Sequence, residues 1–427
     1  MLLVFYIWEI DNMRKIYTSI DIGSYSIKVI VGEFVDDKLH VLASSCVETK
    51  GLKKGLIIEP DLVVKSIKDA VAEANNKLGM NISKVIVNIP DYNAIFREVQ
   101  GSVEVRNEDN VITSEDVNRV IKDSVYNELD DGYELVTVVP TMYYIDNDKE
   151  TSKPVGKNGQ KLEIKGIMIS TPRKNVYSVL SVIERAGLEV ADITIGGLSD
   201  YYEIRNDKLD GKVGAVINLG HETTKVTIFD NGSVVANGTL QVGGINVEKD
   251  LSYIFGVSVL DGRILKEKFA SSHKRFCQLN EIYEVKNSIG EFVKLNQLEV
   301  SEVVMSRMTE IMNLAKKQIR SLTEEDIEYI VLTGGLTEIK SFKNLAYEIF
   351  GKDVLVYNVT TLGVRDNKYT TGLGMIKYFM NKMLLRGREY SMFSLKDEVA
   401  LVTPKKTGKN SVVNKIFGSF VVSKEDK

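Results

Sequence analysis

Residues 20–29 read Ile-Asp-Ile-Gly-Ser-Tyr-Ser-Ile-Lys-Val, and residues 217–226 repeat the pattern as Ile-Asn-Leu-Gly-His-Glu-Thr-Thr-Lys-Val. The copies align without a gap, so a small polar residue, a glycine, a hydroxyl and a lysine recur at matching positions. Each copy predicts a strand, a tight turn and a second strand. Glycine lets a ligand approach the turn, successive N–H groups form an anion-binding nest, and Ser or Thr adds hydroxyl donors. The repeat therefore predicts two similar lobes that clamp one phosphate-bearing ligand.

Two further stretches predict the rest of this site. Residues 327–333 have the β-branched and aromatic composition of a strand, and they run directly into Gly334-Gly335. Such a pair suits a tight turn against a flat ligand. Residues 369–375 predict the start of a helix of small residues near the same cleft.

In this order and at these separations the segments resemble the actin-like ATPase superfamily. Its five signatures match residues 21–28 (first phosphate loop), 195–203 (first connecting helix), 218–225 (second phosphate loop), 333–336 (adenosine loop) and 370–374 (second connection). The resemblance implies an α/β, two-lobed actin-like (ribonuclease-H-like) fold that binds ATP and Mg²⁺, with Asp21 and Asn218 at the metal. The implied nucleotide contacts are Asp21, Gly23, Ser24, Tyr25, Ser26, Lys28, Asn218, Gly220, His221, Thr223, Thr224, Lys225, Gly243, Lys266, Gly334, Gly335 and Leu336.

Composition agrees with a globular protein of at least two lobes. The chain has 427 residues, of which 44% are hydrophobic, and this is enough for several cores. A net charge of −4 argues against broad nucleic-acid binding. The two cysteines, Cys46 and Cys277, lie far apart without a CxxC motif, so neither a disulfide framework nor a zinc site is predicted. We expect a reducing cytoplasm.

An extra unit is predicted before the first connecting helix. Residues 97–177 read as a strand (98–105), a helix (114–128) capped at Thr113, a strand (133–144), a Gly-containing turn and a strand (162–170). A small inserted α+β subdomain at this point resembles the FtsA family and the related PilM pilus-assembly proteins. The motifs at residues 54–57, 112–117, 139–146, 154–162 and 183–190 are similar to FtsA in detail.

The resemblance divides the chain into lobes and subdomains. The expected units are the first-lobe core (13–96 and 178–210), the insert (97–177), the second-lobe core (211–243 and 328–367), its outer subdomain (244–327), and a return to the first lobe (368–390). The outer subdomain is expected to be charged and helical.

The FtsA resemblance also implies partners. They are the C-terminal peptide of the tubulin-like protein FtsZ, further copies of the chain in an actin-like filament, and later division proteins. Arg307 matches the arginine of the family's partner-binding helix, with Lys294 nearby. The implied role is a scaffold that anchors FtsZ polymers to the cytoplasmic membrane at the septum.

The C-terminal residues predict a membrane anchor independently. Residues 391–408 are polar and contain Pro and Gly, as expected of a flexible tether, and residues 409–424 predict an amphipathic helix. Its apolar half holds Val412, Val413, Ile416, Phe417, Phe420 and Val421. Lys415 and its neighbouring lysines favour anionic headgroups, so we expect reversible peripheral attachment. Docking on the body or in a partner's groove stays open.

Residues 1–8 are apolar but far too short to span a bilayer, and no basic region precedes them. Three interpretations compete: a membrane-active extension, a hydrophobic flap, or a start codon assigned too early, with Met13 as the initiator. We favour the last for residues 1–12, because the first strand begins at Ile16.

Several positions depart from the superfamily pattern. Asn218 stands where the second loop usually has an aspartate, and His221-Glu222 stand where glycines are usual. The first connecting segment has glycine where polymerising relatives place a water-activating glutamate, and only Asp200 is available to replace it. An amide carries no charge for Mg²⁺. We therefore expect nucleotide binding with weak hydrolysis at most, and Asp21 and Asp200 are the only catalytic candidates.

Two other functions stay open. A PilM-like pilus or secretion assembly adaptor would lack the detachable amphipathic tail. A sugar kinase or chaperone ATPase of the same fold would need a substrate-binding insertion elsewhere or a large C-terminal domain, and neither is visible in the sequence.

Overall fold

The computed structural model describes residues 14–387 and 390–393. The predictions for residues 1–12 and for the amphipathic helix at 409–424, with its membrane-facing side chains, lie outside the described residues.

The strands are, in chain order, β1 (Lys15–Ile22), β2 (Ser26–Val35), β3 (Lys38–Glu48), β4 (Leu52–Lys53), β5 (Leu56–Ile57), β6 (Lys84–Ile89), β7 (Ile95–Glu104), β8 (Tyr133–Ile145), β9 (Lys149–Thr151), β10 (Lys161–Pro172), β11 (Glu189–Ile195), β12 (Gly214–Leu219), β13 (Thr224–Asp230), β14 (Ser233–Leu240), β15 (Ile282–Lys286), β16 (Phe292–Asn296), β17 (Tyr329–Thr333) and β18 (Leu355–Val356). The α-helices are α1 (Pro60–Leu78), α2 (Ser114–Ser124), α3 (Arg173–Arg185), α4 (Gly196–Ile204), α5 (Gly244–Phe255), α6 (Val259–Ile264), α7 (Gln297–Leu322), α8 (Phe342–Phe350) and α9 (Thr370–Leu385).

Two five-stranded sheets have the same topology. The first has the order β11-β6-β1-β2-β3 and the second the order β18-β17-β12-β13-β14. In each, the three meander strands are antiparallel, and the next strand, β6 or β17, runs parallel to the first meander strand. The central strands are almost entirely buried, as expected of sheets covered on both faces. The predicted duplication thus extends from the turns to whole sheets.

A separate antiparallel sheet, with the order β7-β10-β8-β9, forms the inserted unit. Helix α2 packs on β7 and β10, and a core of its own holds Val117, Val120 and Ile164. The predicted cap is present, because the hydroxyl of Thr113 accepts from the N–H of Asp116 and the Asp116 carboxylate accepts from the N–H of Thr113. The insert is therefore an α+β unit, as predicted.

Helices α4 and α9 cross between the two sheets. They approach so closely that a Cβ on Gly374 would lie 1.7 Å from the Ser199 carbonyl oxygen. Between the lobes, Tyr201 of α4 and Tyr378 of α9 share a buried apolar cluster with Phe229 of β13. This crossing carries Asp200 and Thr371 to the boundary between the lobes.

Three predicted boundaries differ from the structure. Helix α2 ends at Ser124 rather than at residue 128, since its C-cap residue Val125 leaves the helical conformation with φ −108° and ψ 3°, and Asn127 then adopts a positive φ of 61°. The outer subdomain is not wholly helical, since it contains the β15–β16 hairpin. Residues 391–393, assigned to the tether, are packed on the first lobe. There the Met392 N–H donates to the Ile16 carbonyl (3.0 Å) and Phe393 is buried.

Within the described residues, none of the helices combines the length and apolar character needed to cross a bilayer.

Candidate functional site

Two hairpin turns of the same geometry face one cavity. The β1–β2 turn closes with the Gly23 N–H donating to the Ser26 carbonyl (3.2 Å), and the β12–β13 turn closes with Gly220 donating to Thr223 (3.0 Å). A Cβ on Gly23 would lie 3.0 Å from the Ser26 oxygen, and one on Gly220 would lie 2.8 Å from the Thr223 oxygen. Both turns therefore depend on glycine, and their backbones are open to a ligand.

The cavity has a volume of about 410 Å³, which is in the range of small-molecule sites. Of the predicted nucleotide contacts, all line it except Thr224 and Gly243. The Thr224 hydroxyl is buried and donates to the Val242 carbonyl (2.9 Å). Gly243 lies behind the second loop, where a Cβ would be 2.6 Å from the Gly220 carbonyl oxygen. These two residues support the loop from behind.

In the first phosphate loop, a lysine and an amide hold the carboxylate of Asp21. Lys28, its partner across the strand pair, donates from Nζ to Oδ2 (2.8 Å), and Asn88 of β6 donates to Oδ1 (3.1 Å). All three side chains line the cavity. This arrangement places a fixed carboxylate and a lysine where a phosphate or a hydrated cation could reach them.

The polar side chains of the second phosphate loop have different hydrogen-bond partners. The Asn218 Nδ2 donates to Oδ2 of Asp200 (2.8 Å), and the Thr371 hydroxyl donates to Oδ1 (2.6 Å). Burial raises the pKa of Asp200 to about 7, although these two hydrogen bonds lower it. Lys225, the counterpart of Lys28, forms an ion pair with the buried Asp91 of the first lobe (3.2 Å). The second loop thus offers an amide where the first offers a carboxylate, and Lys225 pairs with Asp91 rather than with its strand partner Asn218.

A fully buried carboxylate, Glu248, organises the side of the cavity next to α5. Lys266 Nζ lies 2.6 Å from its Oε1, Arg263 Nη2 lies 3.0 Å from its Oε2, and His221 Nδ1 lies 3.5 Å from Oε1. Burial lowers the pKa of His221 to about 4, and the charges of Lys266 and Arg263 add to this effect while Glu248 opposes it. His221 is therefore neutral at pH 7.

The glycine pair Gly334-Gly335 borders the cavity and leaves room for a flat group. Gly334 has φ +95°, and a Cβ there would meet the Asn218 side chain at 2.4 Å. Beside it, a Cβ on Gly335 would meet nothing closer than the Lys368 Cβ at 4.0 Å. Glu338 and Asp366 also line the cavity. Close backbone and free space together fit a planar base against the glycine pair.

The donor set does not form a ready-made metal cage. In the part of the chain that the structure describes, no group of three or more His, Cys, Asp or Glu side chains could hold an ion. Asp21 and Asp200 are the carboxylates between the two loops, and Asn218 already donates its amide N–H₂ to Asp200. Mg²⁺ usually keeps several waters and is bound by one or two carboxylates plus substrate phosphates, so these residues fit an ion that arrives with a nucleotide.

Two family models match the chain. "Cell division protein FtsA" matches residues 215–374, and "SHS2 domain inserted in FTSA" matches residues 94–170. The second match covers the inserted sheet, so both the second-lobe core and the insert match FtsA models. The chain belongs to the FtsA family. The expected two-lobed actin-like fold with its inserted α+β subdomain is thereby confirmed.

Curated FtsA proteins are similar along most of their length. The chain is 29% identical to "Cell division protein FtsA" of Bacillus subtilis strain 168, over 88% of this chain and 86% of that protein. It is 28% identical to the Enterococcus hirae protein, over 86% and 83% of the two chains. Its identity to the Escherichia coli K12 protein is 24%, over 86% and 90%.

Solved structures share the fold. A "PilM-PilN type IV pilus biogenesis complex" matches with a TM-score of 0.56 at 14% identity, over 84% of this chain and 97% of that chain. "MreB5 of Spiroplasma citri bound to ADP" matches with a TM-score of 0.52 at 10% identity, over 87% and 98%. At such identities the likeness shows the fold alone. Because both family matches are to FtsA, the PilM-like alternative is not favoured.

The residues implied as the FtsA-type partner site do not contact each other. Arg307 is held by Asp250, with Nε–Oδ2 and Nη2–Oδ1 distances of 2.5 and 3.0 Å, and by Glu310. Lys294 lies on β16 with its Nζ 3.6 Å from Glu284, and 71% of its side chain is exposed. A partner would meet Lys294 directly but would compete with Asp250 for Arg307.

Sequence reasoning missed several charged or polar side chains of this FtsA-family site, among them Asn88, Asp91, Glu248, Arg263, Glu338 and Asp366. One signal was available for Asn88 and Asp91, since both lie at the carboxyl end of β6, the edge of a sheet where ligands bind in open α/β folds. Nothing in the local sequence indicates Glu248 and Arg263. Their approach depends on how α5 and α6 pack.

Proposed function

We propose that this protein is an ATP-binding, actin-like cell-division scaffold that attaches FtsZ polymers to the cytoplasmic face of the membrane at the septum. One observation carries the proposal: a single chain matches both the FtsA model and the model of the domain inserted in FtsA, and its two phosphate-type hairpins face one cavity.

ATP is the proposed ligand of the cavity. The turn N–H groups around Gly23 and Gly220 would bind the phosphates, and Gly334-Gly335 would face the base. Asp21 would orient water on the Mg²⁺ that accompanies the nucleotide. When bound, Mg²⁺ neutralises phosphate charge, and the protein's part is to position the phosphates and exclude bulk water. Lys28→Ala should weaken binding of a fluorescent ATP analogue, whereas Lys122→Ala on the exposed face of the insert should not.

Slow turnover is part of the proposal. Asn218 brings no charge, and its N–H₂ is directed to Asp200 rather than to a metal-bound water. Asp200 is buried, and two hydrogen bonds hold it. Neither residue is therefore placed to act as a free general base, so nucleotide is expected to serve mainly as a bound structural ligand.

The outer subdomain is the proposed site for the FtsZ peptide. Large apolar side chains more than three-fifths exposed are concentrated there: Tyr253, Leu260, Leu279, Ile282, Ile289 and Phe292. If these side chains form one contiguous apolar patch, that patch would mark a protein interaction site. Lys294 and Lys286 stand on the outer face of the same hairpin as Phe292, and they would attract an acidic, apolar peptide.

Membrane attachment is proposed through residues 409–424. Met392 and Phe393 are packed on the first lobe, so the chain is held to the body up to residue 393. Filament formation by further copies of the chain, and recruitment of later division proteins, are proposed with it. A filament would present many weak membrane anchors at once, which raises avidity without any new contact.

Cosedimentation tests the proposal. Purified FtsZ, assembled with GTP, should sediment with anionic liposomes only when this protein is present. Lys294→Glu should reduce FtsZ recovery while the protein itself still sediments with the liposomes. Lys122→Glu, the same charge change on the insert, should leave recovery unchanged. Equal FtsZ recovery with and without the protein would overturn the proposal.

A further inference from the structure

A small hairpin of the first lobe bridges to the second lobe at the phosphate end of the cavity. In the β4–β5 turn, the Lys54 N–H donates to the carboxylate of Glu222, and its Nζ donates to Oε1 of Gln241 (2.6 Å). On its own lobe, the Tyr92 hydroxyl donates to the Lys54 carbonyl (2.6 Å). The turn is thus tied to both lobes at one residue.

The same turn is also tied to the first phosphate loop. The Gly55 N–H donates to the hydroxyl of Ser24 (3.1 Å). Ser24 and Gly55 both line the cavity, so the β4–β5 turn forms part of its wall. Through Gly55 and Lys54 it therefore connects the tip of the first loop to the tip of the second.

A second bridge is made of rings and a guanidinium. The rings of Tyr25 in the first loop and His221 in the second are 5.2 Å apart between centroids. The guanidinium of Arg263 lies 4.0 Å from the Tyr25 centroid, and the buried Glu248 holds it from behind. His221 is neutral, because burial and the neighbouring cations lower its pKa. It therefore adds no positive charge beside the Arg263 guanidinium that lies on Tyr25.

A third bridge is ionic and lies deeper. Asp91 of the first lobe is 3% exposed, and it meets both Lys225 Nζ (3.2 Å) and the Thr239 hydroxyl (3.2 Å) of the second lobe. The three bridges therefore surround the phosphate end of the cavity. Two of the three include a contact made by His221 or Glu222, at positions where the resemblance leads one to expect glycine, which has no side chain for either contact.

We infer that His221 and Glu222 are positioning residues that hold the second phosphate loop against the first lobe before nucleotide arrives, so that the phosphates are received without closure of the lobes. The inference rests on the proposed nucleotide binding. Apparent affinity falls when only a small fraction of the protein is in the binding-competent arrangement. A site that already has this arrangement avoids that loss. Nucleoside di- and triphosphates should then bind with similar affinities, because no terminal phosphate is needed to draw the loops together.

Distances between nitroxide labels test the first half of the inference without nucleotide. The two natural cysteines are first replaced by Cys46→Ser and Cys277→Ser. Labels are then attached at two exposed positions, Lys68→Cys on α1 and Asn344→Cys on α8, and the distance between them reports the separation of the lobes. We expect one narrow distance distribution that Mg·ATP does not change. His221→Gly/Glu222→Gly should broaden the distribution in the absence of nucleotide, and Mg·ATP should narrow it again.

Binding kinetics test the second half. The association rate of a fluorescent ATP analogue should rise linearly with concentration for the natural chain and saturate for His221→Gly/Glu222→Gly, because a closing step then becomes limiting. The preference of the double variant for ATP over ADP should increase at least threefold. Lys53→Ala, an exposed change beside Lys54, should behave like the natural chain.

The outcomes separate this inference from the proposed function. If no nucleotide binds but the labels show one narrow distance that the double variant broadens, the bridges hold and ATP binding is wrong. If nucleotide binds but the natural chain shows a wide distribution that ATP narrows, the inference is overturned. A double variant with unchanged distances and kinetics would also overturn it. Equal melting temperatures for the variant and the natural chain exclude a general loss of structure.

Discussion

At the scale of single residues, Asn218 gives the second phosphate loop a set of side-chain contacts that differs from that of the first. Where the first loop pairs Asp21 with Lys28 across the strands, the second has no carboxylate to offer Lys225. Lys225 instead reaches Asp91, and the amide of Asn218 turns to Asp200. The uncharged side chain at position 218 is therefore accompanied by two contacts that the first loop lacks, Lys225 with Asp91 and Asn218 with Asp200.

Restoring that charge should cost stability and increase turnover. Asn218→Asp would place two carboxylates at the 2.8 Å contact with Asp200, and like charges this close cannot both ionise without a cation. We expect destabilisation by about 1–3 kcal/mol without Mg²⁺, recovery with Mg·ATP, and faster ATP hydrolysis. Denaturant melts and phosphate release measure these effects. Asn88→Asp, the matched change beside Asp21, should not raise hydrolysis; brisk turnover by the natural chain would contradict the prediction.

Asp200 should give the fold a measurable pH dependence. Its pKa rises from 3.8 to about 7 on folding, mainly by burial, so between these values the unfolded chain binds fewer protons than the folded chain. Stability from this group therefore falls as pH rises through that window, by roughly 4 kcal/mol at pH 8.

Asp200→Asn removes this titration. The difference in unfolding free energy between variant and natural chain, measured in denaturant from pH 5 to 8.5, should grow in favour of the variant as pH rises. His221, whose pKa falls to about 4, contributes with the opposite sign between pH 4 and 6.5 and cancels in the difference. A flat difference would show that Asp200 ionises normally.

At the scale of elements, the crossing of α4 and α9 sets the geometry between the lobes. Gly374 permits the close approach, and the two helices bring Asp200 and Thr371 within hydrogen-bonding distance. The same crossing places Ser199, whose hydroxyl donates to the Ile195 carbonyl (3.1 Å), behind the cavity. Helix packing here decides the positions of site residues that no single element controls.

Two alanine substitutions should separate packing from ligand space. Gly374→Ala must push α4 and α9 apart, and we expect a loss of about 1–3 kcal/mol in unfolding free energy together with loss of ATP binding. Gly335→Ala has room in the fold, since the nearest atom is 4.0 Å away, but it faces the proposed base site. It should melt like the natural chain and bind the ATP analogue more weakly. Equal stability of both variants would refute the packing argument.

At the scale of the whole molecule, we propose that the body and the C-terminal residues have separable tasks. The described residues end at Phe393, which is buried with Met392 against the first lobe. We therefore expect that removal of residues 409–427 leaves the described fold intact. Anionic liposomes should no longer sediment the truncated protein, while its melting temperature and ATP binding remain unchanged.

Point variants sharpen this test. Phe417→Glu/Phe420→Glu should abolish sedimentation, because each carboxylate would be driven into the headgroup–acyl boundary of an anionic membrane. Asn414→Glu/Ser419→Glu adds the same charge to the predicted polar half and should retain most of the binding. Undiminished sedimentation of the truncated protein would place the anchor elsewhere, and the apolar residues 2–8 would be tested next.

The amino-acid sequence by itself determined the two hairpin turns, the capped helix α2, the inserted unit and 15 of the 33 residues that line the cavity. These depend on local chemistry: glycine where a turn carbonyl leaves no room for a Cβ, Thr113 and Asp116 at helical cap spacing, and alternating apolar residues along strands. Because the pattern repeats in register, the same local chemistry predicts a similar turn in each lobe.

Only the tertiary structure decided which charged groups meet. The ion pairs of Lys225 with Asp91, Arg263 with Glu248 and Lys382 with Asp192 join residues of different elements, so no spacing rule relates them. The outer hairpin was missed for a similar reason, since its strands of five residues are stabilised by packing on the second-lobe core. Local patterns specify turns and helices, whereas the burial of partners from distant elements determines the protonation of Asp200 and the contacts between the lobes.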